Sequence, residues 1–321
     1  MATTTTLLEQ FEDQGYIVVP DLLDLERDLR PLTDDYEQAL DDMARLWYSE
    51  GKLASLYSGL PFNRRFMAMV GESRARWTQF LDISLPQNGV SPDTPIHLSE
   101  AVFNFLRVPA VLDVIEQLIG PEITCNPIQH LRLKPPERLV PVEQRQGLNS
   151  QTTWHQDQGV ALPEADNTSI ITVWIPITDA TVENGCLRAI PGSHRDGLAT
   201  HCPNNVDGIL TIPDKLVGDG EITLPMKRGS VLFMDRRTKH SSWANQTDDI
   251  RWSFDLRYQP TGYPTGRPAF PEFVVRSRAN PSSVLTDYRQ WIQLWLEARS
   301  ALAQGRPAKF NRWDGNAPVC A

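Results

Sequence analysis

One stretch of the 321-residue sequence has the pattern of a metal site: Thr153-Trp154-His155-Gln156-Asp157-Gln158-Gly159. In an extended strand the side chains at positions i and i+2 point to the same face, so we expect His155 and Asp157 to lie side by side. Two imidazoles and one carboxylate form the facial ligand set of non-haem Fe(II), which leaves the opposite coordination positions open. The pair therefore supplies two of three ligands, and the third must come from a distant strand.

A second histidine is the best candidate for the third ligand. His240 stands in the segment Lys239-His240-Ser241-Ser242, and Arg251 follows it eleven residues later. An isolated His-x-Asp pair is weak evidence, because polar residues at strand ends usually satisfy backbone groups. The four residues together, on segments that also have the composition of strands, favour a metal site over that structural interpretation.

The overall composition excludes some classes of function. The chain has 31 Lys and Arg against 40 Asp and Glu, a net charge of −9, and no basic run. Nucleic-acid binding depends largely on neutralising phosphates, so an acidic chain of this kind is a poor candidate for it. The N-terminal residues lack the charged and apolar regions of a secretory signal, and no stretch reaches the roughly eighteen apolar residues of a membrane helix. We therefore expect a cytoplasmic protein with neither nucleic acid nor a membrane as partner.

The four cysteines are scattered through the chain and form no CxxC pair. They are Cys125, Cys186, Cys202 and Cys320. Without paired spacing, neither a disulfide framework nor a zinc site is predicted, and we expect reduced, partly buried thiols.

The N-terminal third of the sequence has a helical pattern with one early strand. Leu7–Gln14 is predicted as a helix that ends at Gly15, followed by a strand over Tyr16–Val19. Asp34, with Glu37 three residues later, predicts a capped helix over 34–49. A further helical segment covers 99–119 and is interrupted at Pro109.

From residue 123 onward the pattern changes to short strands, separated by Gly, Pro and Asn turns. These runs are rich in β-branched and aromatic residues, and they cover 123–134, 169–176, 186–190, 230–233 and 251–258. Many short strands in one block predict a sandwich or a jelly roll. We expect a single domain over 1–321, with a helical segment at 1–121, a β core at 122–260 and a C-terminal helix at 281–304.

The predicted C-terminal helix has an apolar stripe at helical spacing. Its members are Leu285, Tyr288, Trp291, Ile292, Trp295 and Leu296. Packing on the outside of the β core is the first interpretation of such a stripe. Part of a dimer interface is the main alternative, because Trp is enriched in interfaces. The protein is thus predicted to be a monomer or a homodimer.

Several motifs follow one another in the order in which a known family carries them. They are FEDQGYIVVP at 11–20, KPP at 134–136, WHQD at 154–157, NGCLRAIPGSH at 184–194, HSS at 240–242, and Arg251. On these motifs the sequence resembles the phytanoyl-CoA dioxygenase family of Fe(II)- and 2-oxoglutarate-dependent oxygenases. The resemblance implies a mainly β fold with flanking helices and a double-stranded β-helix core, of the jelly-roll or cupin-like kind.

The resemblance also assigns roles to individual residues. The Fe(II) ligands fall on His155, Asp157 and His240, and Arg251 takes the distal carboxylate of 2-oxoglutarate. An arginine suits this role because its planar fork can meet a carboxylate bidentately. The remaining cosubstrate contacts that the resemblance implies fall on Ser242, Trp174 and His130.

Alternation along two predicted strands adds candidates for a substrate contact. Arg257 shares a strand face with Arg251 and Asp255, and Arg132 shares one with His130 and Lys134. Buried charges need partners, so we expect Arg257 to pair with Asp255 or another carboxylate, or with an anionic group of a substrate. Arg132 is the second such candidate. These two residues lead to the hypothesis that the substrate is a small molecule with a carboxylate or phosphate.

The function that the resemblance implies is hydroxylation of a small molecule, with O2 as second cosubstrate and release of succinate and CO2. Related halogenases have a small residue at the position of Asp157, so a carboxylate there favours hydroxylation, desaturation or ring formation over halogenation. Two alternatives stay open. A cupin-like metalloenzyme, either an isomerase or a dioxygenase without 2-oxoglutarate, would not need Arg251. A catalytically silent barrel used as a binding module would need neither the ligands nor the arginine.

Three other histidines and one loop have weaker patterns. His194 ends a Pro-Gly-Ser-His turn and is predicted to be structural. His97 and His201 lie in loop-like surroundings and are predicted to be solvated. The polar, Gly-containing segment 139–153 leads into the His-x-Asp pair, where it can be a lid over the substrate or a plain surface connection.

Overall fold

In the computed structural model the described residues are 6–203 and 210–320. This part of the chain forms the strands β1 (Tyr16–Val19), β2 (Ile123–Lys134), β3 (Thr152–His155), β4 (Ile171–Pro176), β5 (Leu187–Ala189), β6 (Cys202–Pro203), β7 (Leu210–Thr211), β8 (Ile222–Leu224), β9 (Val231–Asp235), β10 (His240–Ser242), β11 (Arg251–Pro260) and β12 (Phe273–Arg276). Its α-helices are α1 (Leu7–Gln14), α2 (Arg30–Ser49), α3 (Phe62–Ser73), α4 (Thr78–Leu81), α5 (Glu100–Phe105), α6 (Pro109–Ile119), α7 (Asp157–Val160), α8 (Asp214–Val217) and α9 (Tyr288–Ala303). Among these helices, none combines the length and the apolar character needed to cross a membrane.

Two antiparallel sheets carry the fold. The larger has the strand order β1-β9-β4-β11-β2-β12, and the smaller has the order β3-β10-β5-β8. Side chains from both sheets meet in one buried apolar cluster, to which Trp174 contributes from β4, Leu232 from β9 and Leu187 from β5. The two sheets therefore face each other, and the predicted fold class is confirmed: a mainly β jelly roll, or double-stranded β-helix, with flanking helices.

The other face of the larger sheet is covered by the N-terminal helices. Tyr36 of α2 contacts Trp252 and Phe254 of β11, with ring centroids 5.4 and 5.8 Å apart. Tyr258 of the same strand donates a hydrogen bond to the carbonyl of Leu106 over 2.9 Å. Since successive side chains of a strand point to opposite faces, the residues between these aromatics point to the space between the sheets. The alternation predicted for this strand is confirmed.

The C-terminal helix α9 packs against α5 and the segment before β12. Trp291 and Trp295 are at most 1% exposed. Trp291 contacts Phe103 at a centroid distance of 5.8 Å, and Trp295 contacts Phe270 at 5.4 Å. Trp291 and Trp295 are thus buried within the chain, and Leu285, Tyr288 and Ile292 are partly buried against the same apolar cluster, which includes side chains of the larger sheet.

The start of the second helix differs from the prediction. The helical segment begins upstream, because the Asp24 carboxylate accepts hydrogen bonds from the backbone N–H groups of Glu26 and Arg27. A π-helical turn over Leu25–Leu29 then leads into α2. Asp34 lies inside that helix and does not cap it, so the capping signal at 34–37 was wrong.

Two of the four cysteines form a disulfide bond, which corrects the expectation of reduced thiols. Cys202 and Cys320 are bonded across 118 residues of sequence. Cys125 and Cys186 are free and buried, as expected. The bond fastens the C-terminal segment beside β6, a contact that no local sequence pattern could indicate.

The substitution Cys320→Ser tests the contribution of this disulfide to stability. Closing a loop of this length removes conformational entropy from the unfolded chain, and we expect the variant to lose about 4 kcal/mol of unfolding free energy. Chemical denaturation with and without a thiol reductant measures the loss. The reductant should lower wild-type stability to that of the variant and leave the variant unchanged. Equal stability of oxidised and reduced wild type would contradict the prediction.

Candidate metal centre

The segment that carries the His-x-Asp pair is a strand that turns into a short helix. Strand β3 ends at His155, Gln156 is extended (φ −120°, ψ 138°), and Asp157 is the first residue of α7. The expectation that Asp157 belongs to the strand is therefore wrong. The extended residue between them still places both side chains together, and His155 Nε2 lies 3.8 Å from Asp157 Oδ1.

Strand pairing brings the second histidine to the same point. His240 of β10 is the direct antiparallel partner of His155 of β3, and their ring centroids are 4.2 Å apart. His240 Nε2 lies 4.0 Å from Asp157 Oδ2. One ligand atom from each of the three buried residues lies within 4.8 Å of the other two. This separation suits three ligands of one ion, so the cluster can hold a metal.

Both imidazoles are oriented by backbone carbonyls. Nδ1 of His155 donates to Thr153 O, and Nδ1 of His240 donates to Thr238 O, each over 2.9 Å. This pattern leaves the Nε2 lone pairs free to act as ligands, as metal-binding histidines require. Burial, followed by the neighbouring His240, lowers the pKa of His155 to about 3, so that the ring is neutral at physiological pH.

The carboxylate of Asp157 is held by two donors from the larger sheet. Arg257 Nη2 donates to its Oδ1, and Thr172 Oγ1 donates to its Oδ2. Burial acts to raise the pKa of this carboxyl, but the Arg257 guanidinium and then the two imidazoles outweigh it and hold the pKa below its ordinary value. The sequence left Asp255, another carboxylate or a substrate anion as partners of Arg257. In the structure the partner is another carboxylate, that of Asp157.

A third histidine, His201, holds the backbone of Gln156, the residue between the proposed ligands His155 and Asp157. His201 Nε2 accepts a hydrogen bond from the N–H of Gln156 over 2.8 Å, and its Nδ1 donates to Ala199 O over 2.9 Å. His201 is fully buried, and burial lowers its pKa to about 4. A Cβ atom at Gly159 would come within 2.3 Å of its ring, so this contact requires a glycine there. The prediction of a solvated His201 was wrong.

The other histidines outside the cluster also make internal contacts. His97 Nε2 lies 2.6 Å from Asp35 Oδ2, so the prediction that it is solvated was also wrong. His194 Nε2 bonds to the carbonyl of Glu12 over 3.0 Å, which is the structural role expected for it.

Arg251 is a buried cation with unused donors. It is fully buried; its Nη1 donates to Ser253 Oγ over 2.5 Å, and its guanidinium lies 5.6 Å from the Trp174 ring. Within the described residues no acceptor meets Arg251 Nε or Nη2, or the indole N–H of Trp174. Burial lowers the pKa of Arg251 to about 10, so the guanidinium is still charged at neutral pH. A buried cation with free donors requires an anion, and a carboxylate of 2-oxoglutarate fits this requirement.

Lys134 is a second buried basic residue beside Arg251, and the sequence assigned it no role. The two residues are register partners on β2 and β11. Lys134 Nζ donates to Ser242 Oγ over 2.7 Å and to Thr152 Oγ1 over 3.1 Å. Burial and the nearby Arg251 charge lower the pKa of Lys134 well below its ordinary value. The signal that could have found it was its position on the inward face of β2.

The remaining residues that the sequence suggested as cosubstrate or substrate contacts, His130 and Arg132, pair with side chains of the protein itself. His130 Nδ1 lies 2.8 Å from Oδ2 of the buried Asp82, a residue that the sequence analysis did not single out. Arg132 pairs with Asp255 and donates to Gly147 O over 2.6 Å. With Arg132 and Arg257 both paired to carboxylates of the protein, we assign neither to a substrate anion.

The structure and the sequence motifs define a class of protein: a double-stranded β-helix whose two sheets enclose a His-Asp-His cluster. The family model of phytanoyl-CoA dioxygenase (PhyH) matches residues 11–253. The chain belongs to this family. Family membership and the buried cluster support the predicted cofactors, Fe(II) and 2-oxoglutarate.

Curated relatives match over part of their length. A probable phytanoyl-CoA dioxygenase of Caenorhabditis elegans is 28% identical over 49% of this chain and 50% of the relative. The peroxisomal phytanoyl-CoA dioxygenase of Rattus norvegicus is 23% identical over 56% of this chain and 54% of the relative. The chain spans about a third to a half of the length of the curated relatives it matches.

A solved structure matches almost the whole chain. The nickel complex of the non-heme monooxygenase ThoJ is 21% identical, covers 94% of this chain and 98% of its own, and superposes with a TM-score of 0.52. At 21% sequence identity, this structural similarity supports the assignment of the fold alone.

The buried neutral state of His201 predicts a loss of stability in acid. The ring is neutral in the folded protein down to a pKa of about 4, whereas in the unfolded chain it takes up a proton near its ordinary value of 6.5. The contribution of the neutral His201 ring to the unfolding free energy is therefore fully present above pH 6.5. It is lost as the pH falls towards 4, by at most about 1.4 kcal/mol per pH unit. In His201→Gln, which keeps an acceptor for the Gln156 N–H, the unfolding free energy should depend less on pH in this window. Identical pH profiles would contradict the prediction.

Proposed function

We propose that the protein is an Fe(II)- and 2-oxoglutarate-dependent oxygenase that hydroxylates a small molecule. The observation that supports this most is that three ligand residues converge within the same barrel interior as Arg251, a buried cation with free donors. A cupin-like enzyme that does not use 2-oxoglutarate has no need for that cation, and a silent binding module needs neither. We propose that the protein acts as a monomer or a homodimer and that it is cytoplasmic.

The proposed metal site uses three ligand atoms. Nε2 of His155, Nε2 of His240 and one carboxylate oxygen of Asp157 would hold Fe(II). With 2-oxoglutarate and O2, this metal supplies the oxidising chemistry, and the cosubstrate leaves as succinate and CO2. A charged carboxylate at position 157 supports hydroxylation, desaturation or ring formation rather than halogenation.

The proposed cosubstrate site lies around Arg251 on the inward face of β11. Arg251 would bind the distal carboxylate through Nε and Nη2, the atoms that lack an acceptor among the residues described. Lys134 and the Ser242 hydroxyl would contribute further donors, and the Trp174 indole would lie against the bound acid. Because these side chains are buried, water is excluded and each charge–charge contact is strengthened.

The experiment that tests the function is a succinate-release screen with Fe(II), 2-oxoglutarate and O2. The candidate substrates are small acids, amino-acid derivatives, phosphonates, terpenoids and acyl-CoA esters, each paired with a neutral analogue where one exists. Release that depends on both the substrate and 2-oxoglutarate supports the proposal. Substrate conversion without 2-oxoglutarate would favour the cupin-like alternative.

Asp157→Ala should abolish substrate-linked succinate release, because it removes the single anionic ligand of the cluster. Loss of activity should be at least about a thousandfold, the scale expected when a group essential for the chemical step is removed. Normal turnover by this variant would contradict the assignment of Asp157 as a ligand.

Arg251→Met should separate cosubstrate binding from metal binding. The thioether keeps the apolar volume but removes every donor, so we expect the KM for 2-oxoglutarate to rise about a hundredfold, the effect of losing a buried charge-assisted contact of about 3 kcal/mol. Affinity for a divalent metal alone should not change. An unchanged KM would remove Arg251 from the cosubstrate site.

A further inference from the structure

We propose that Arg257 is a positioning residue for metal binding. With Thr172 it fixes the two oxygens of Asp157 so that the carboxylate faces the imidazoles of His155 and His240 before a metal arrives. The inference rests on the proposed metal centre and goes beyond it, because Arg257 is neither a ligand nor a cosubstrate contact.

The contacts of the Asp157 carboxylate support this role. Each of its oxygens has its own donor: Arg257 Nη2 for Oδ1 and Thr172 Oγ1 for Oδ2. Arg257 is itself anchored, because its Nη1 donates to the carbonyl of Ile128 over 2.8 Å. Arg257 is 3% exposed and Asp157 is 2% exposed. A carboxylate held at both oxygens by buried donors cannot rotate away from the imidazoles without breaking a hydrogen bond.

The register of the larger sheet explains why two donors reach the same carboxylate. Arg257 of β11 is the direct partner of Thr172 of β4, and the pairing of these two strands is continuous from Ser253 to Tyr258. Directly opposed residues of an antiparallel pair point to the same face of the sheet. Asp157 comes from the other side of the barrel, so its carboxylate meets a pair of donors that the larger sheet presents side by side.

Two opposite effects on metal affinity have to be compared. A guanidinium near a divalent cation repels it, so removing Arg257 would strengthen metal binding on charge alone. The same removal leaves the buried Asp157 without its counterion and with one anchor less. Loss of a partner that orients a metal ligand typically costs 10- to 100-fold in metal affinity. We infer that orientation is the larger effect, because Asp157 is the anionic member of the cluster.

A direct role of Arg257 in binding a substrate anion fits its contacts less well. Bidentate recognition of a carboxylate or phosphate uses two N–H groups on one edge of the guanidinium. Nη1 and Nη2 already donate to Ile128 O and Asp157. Only Nε lacks an acceptor within the described part of the chain.

The test is a titration of the metal-free protein with Co(II), without 2-oxoglutarate, followed by visible absorption. We expect Arg257→Met to raise the Kd for Co(II) 10- to 100-fold. Arg257→Lys should recover part of the affinity, because an ammonium supplies a donor but not the fork that also reaches Ile128 O. Thr172→Val, which removes only the second donor, should cause a smaller loss. Arg251→Met is the matched control, a buried arginine on the same strand whose loss should leave Co(II) binding unchanged.

The outcomes separate this inference from the proposed function. Co(II) binding by folded Arg257→Met that is as tight as in wild type, or tighter, overturns the positioning role. If Arg257→Met does not fold, unchanged Co(II) affinity in both Arg257→Lys and Thr172→Val overturns it as well. Weaker Co(II) binding in these variants supports the inference even if wild type releases no succinate, a result that would remove only the proposed reaction.

Discussion

The site depends on the antiparallel pairing of β3 with β10, which sets His155 directly opposite His240. Both strands belong to the smaller sheet, whereas the donors that hold Asp157 belong to the larger one. The cluster therefore joins the two sheets across the barrel interior. The ligand geometry exists only when both sheets have formed and face each other, so that metal binding and the native fold are linked.

Buried charge is the second constraint on the interior. Arg132 pairs with Asp255 and Arg257 pairs with Asp157, so these four charges are neutralised within the protein. Among the residues described, no carboxylate makes an ion pair with Lys134 or Arg251. An uncompensated cation such as the Arg251 guanidinium is costly in a low-dielectric interior, and a bound carboxylate is the simplest compensation. The charge pattern of the protein thus distinguishes two arginines that are neutralised by carboxylates of the protein, Arg132 and Arg257, from Arg251, which lacks such a partner among the residues described.

The parts of this structure that follow local rules were predictable from the sequence. The alternation along β2 and β11 correctly gave the inward face, and the bounds of the strands that were predicted agree within a few residues because Gly and Pro turns delimit them. The short strands β8 and β12 were not predicted. The His-x-Asp pair was found because its two residues are of metal-ligating types and stand two positions apart, whereas His240 was found through the arginine that follows it eleven residues later and through the family resemblance. The sequence could not choose a partner for Arg257, because Asp157 and Asp255 are equally plausible until the opposite side of the barrel is placed.

Contacts between distant segments account for the errors. His201 has no local pattern that marks it as buried, because its partners are the backbone of Gln156 and the ring of Trp313, more than a hundred residues downstream of it. The disulfide between Cys202 and Cys320 has the same cause, since its loop spans 118 residues. The helix start at Asp34 failed for a different reason: Asp24 caps the helical segment ten residues earlier, although it lacks the Glu at the third following position that marked Asp34.

The C-terminal segment shows why a ligand motif does not by itself define a metal site. Trp313 donates a hydrogen bond to the carbonyl of Gly159 over 2.8 Å and stacks on His201, which in turn holds the N–H of Gln156 between the two ligands. Arg312 forms a two-point ion pair with Asp166, just beyond α7. The segment that carries His155 and Asp157 is thus held on one side by the larger sheet and on the other by the chain terminus. The motif supplies the ligand atoms, but residues far away in sequence fix the angles at which those atoms meet.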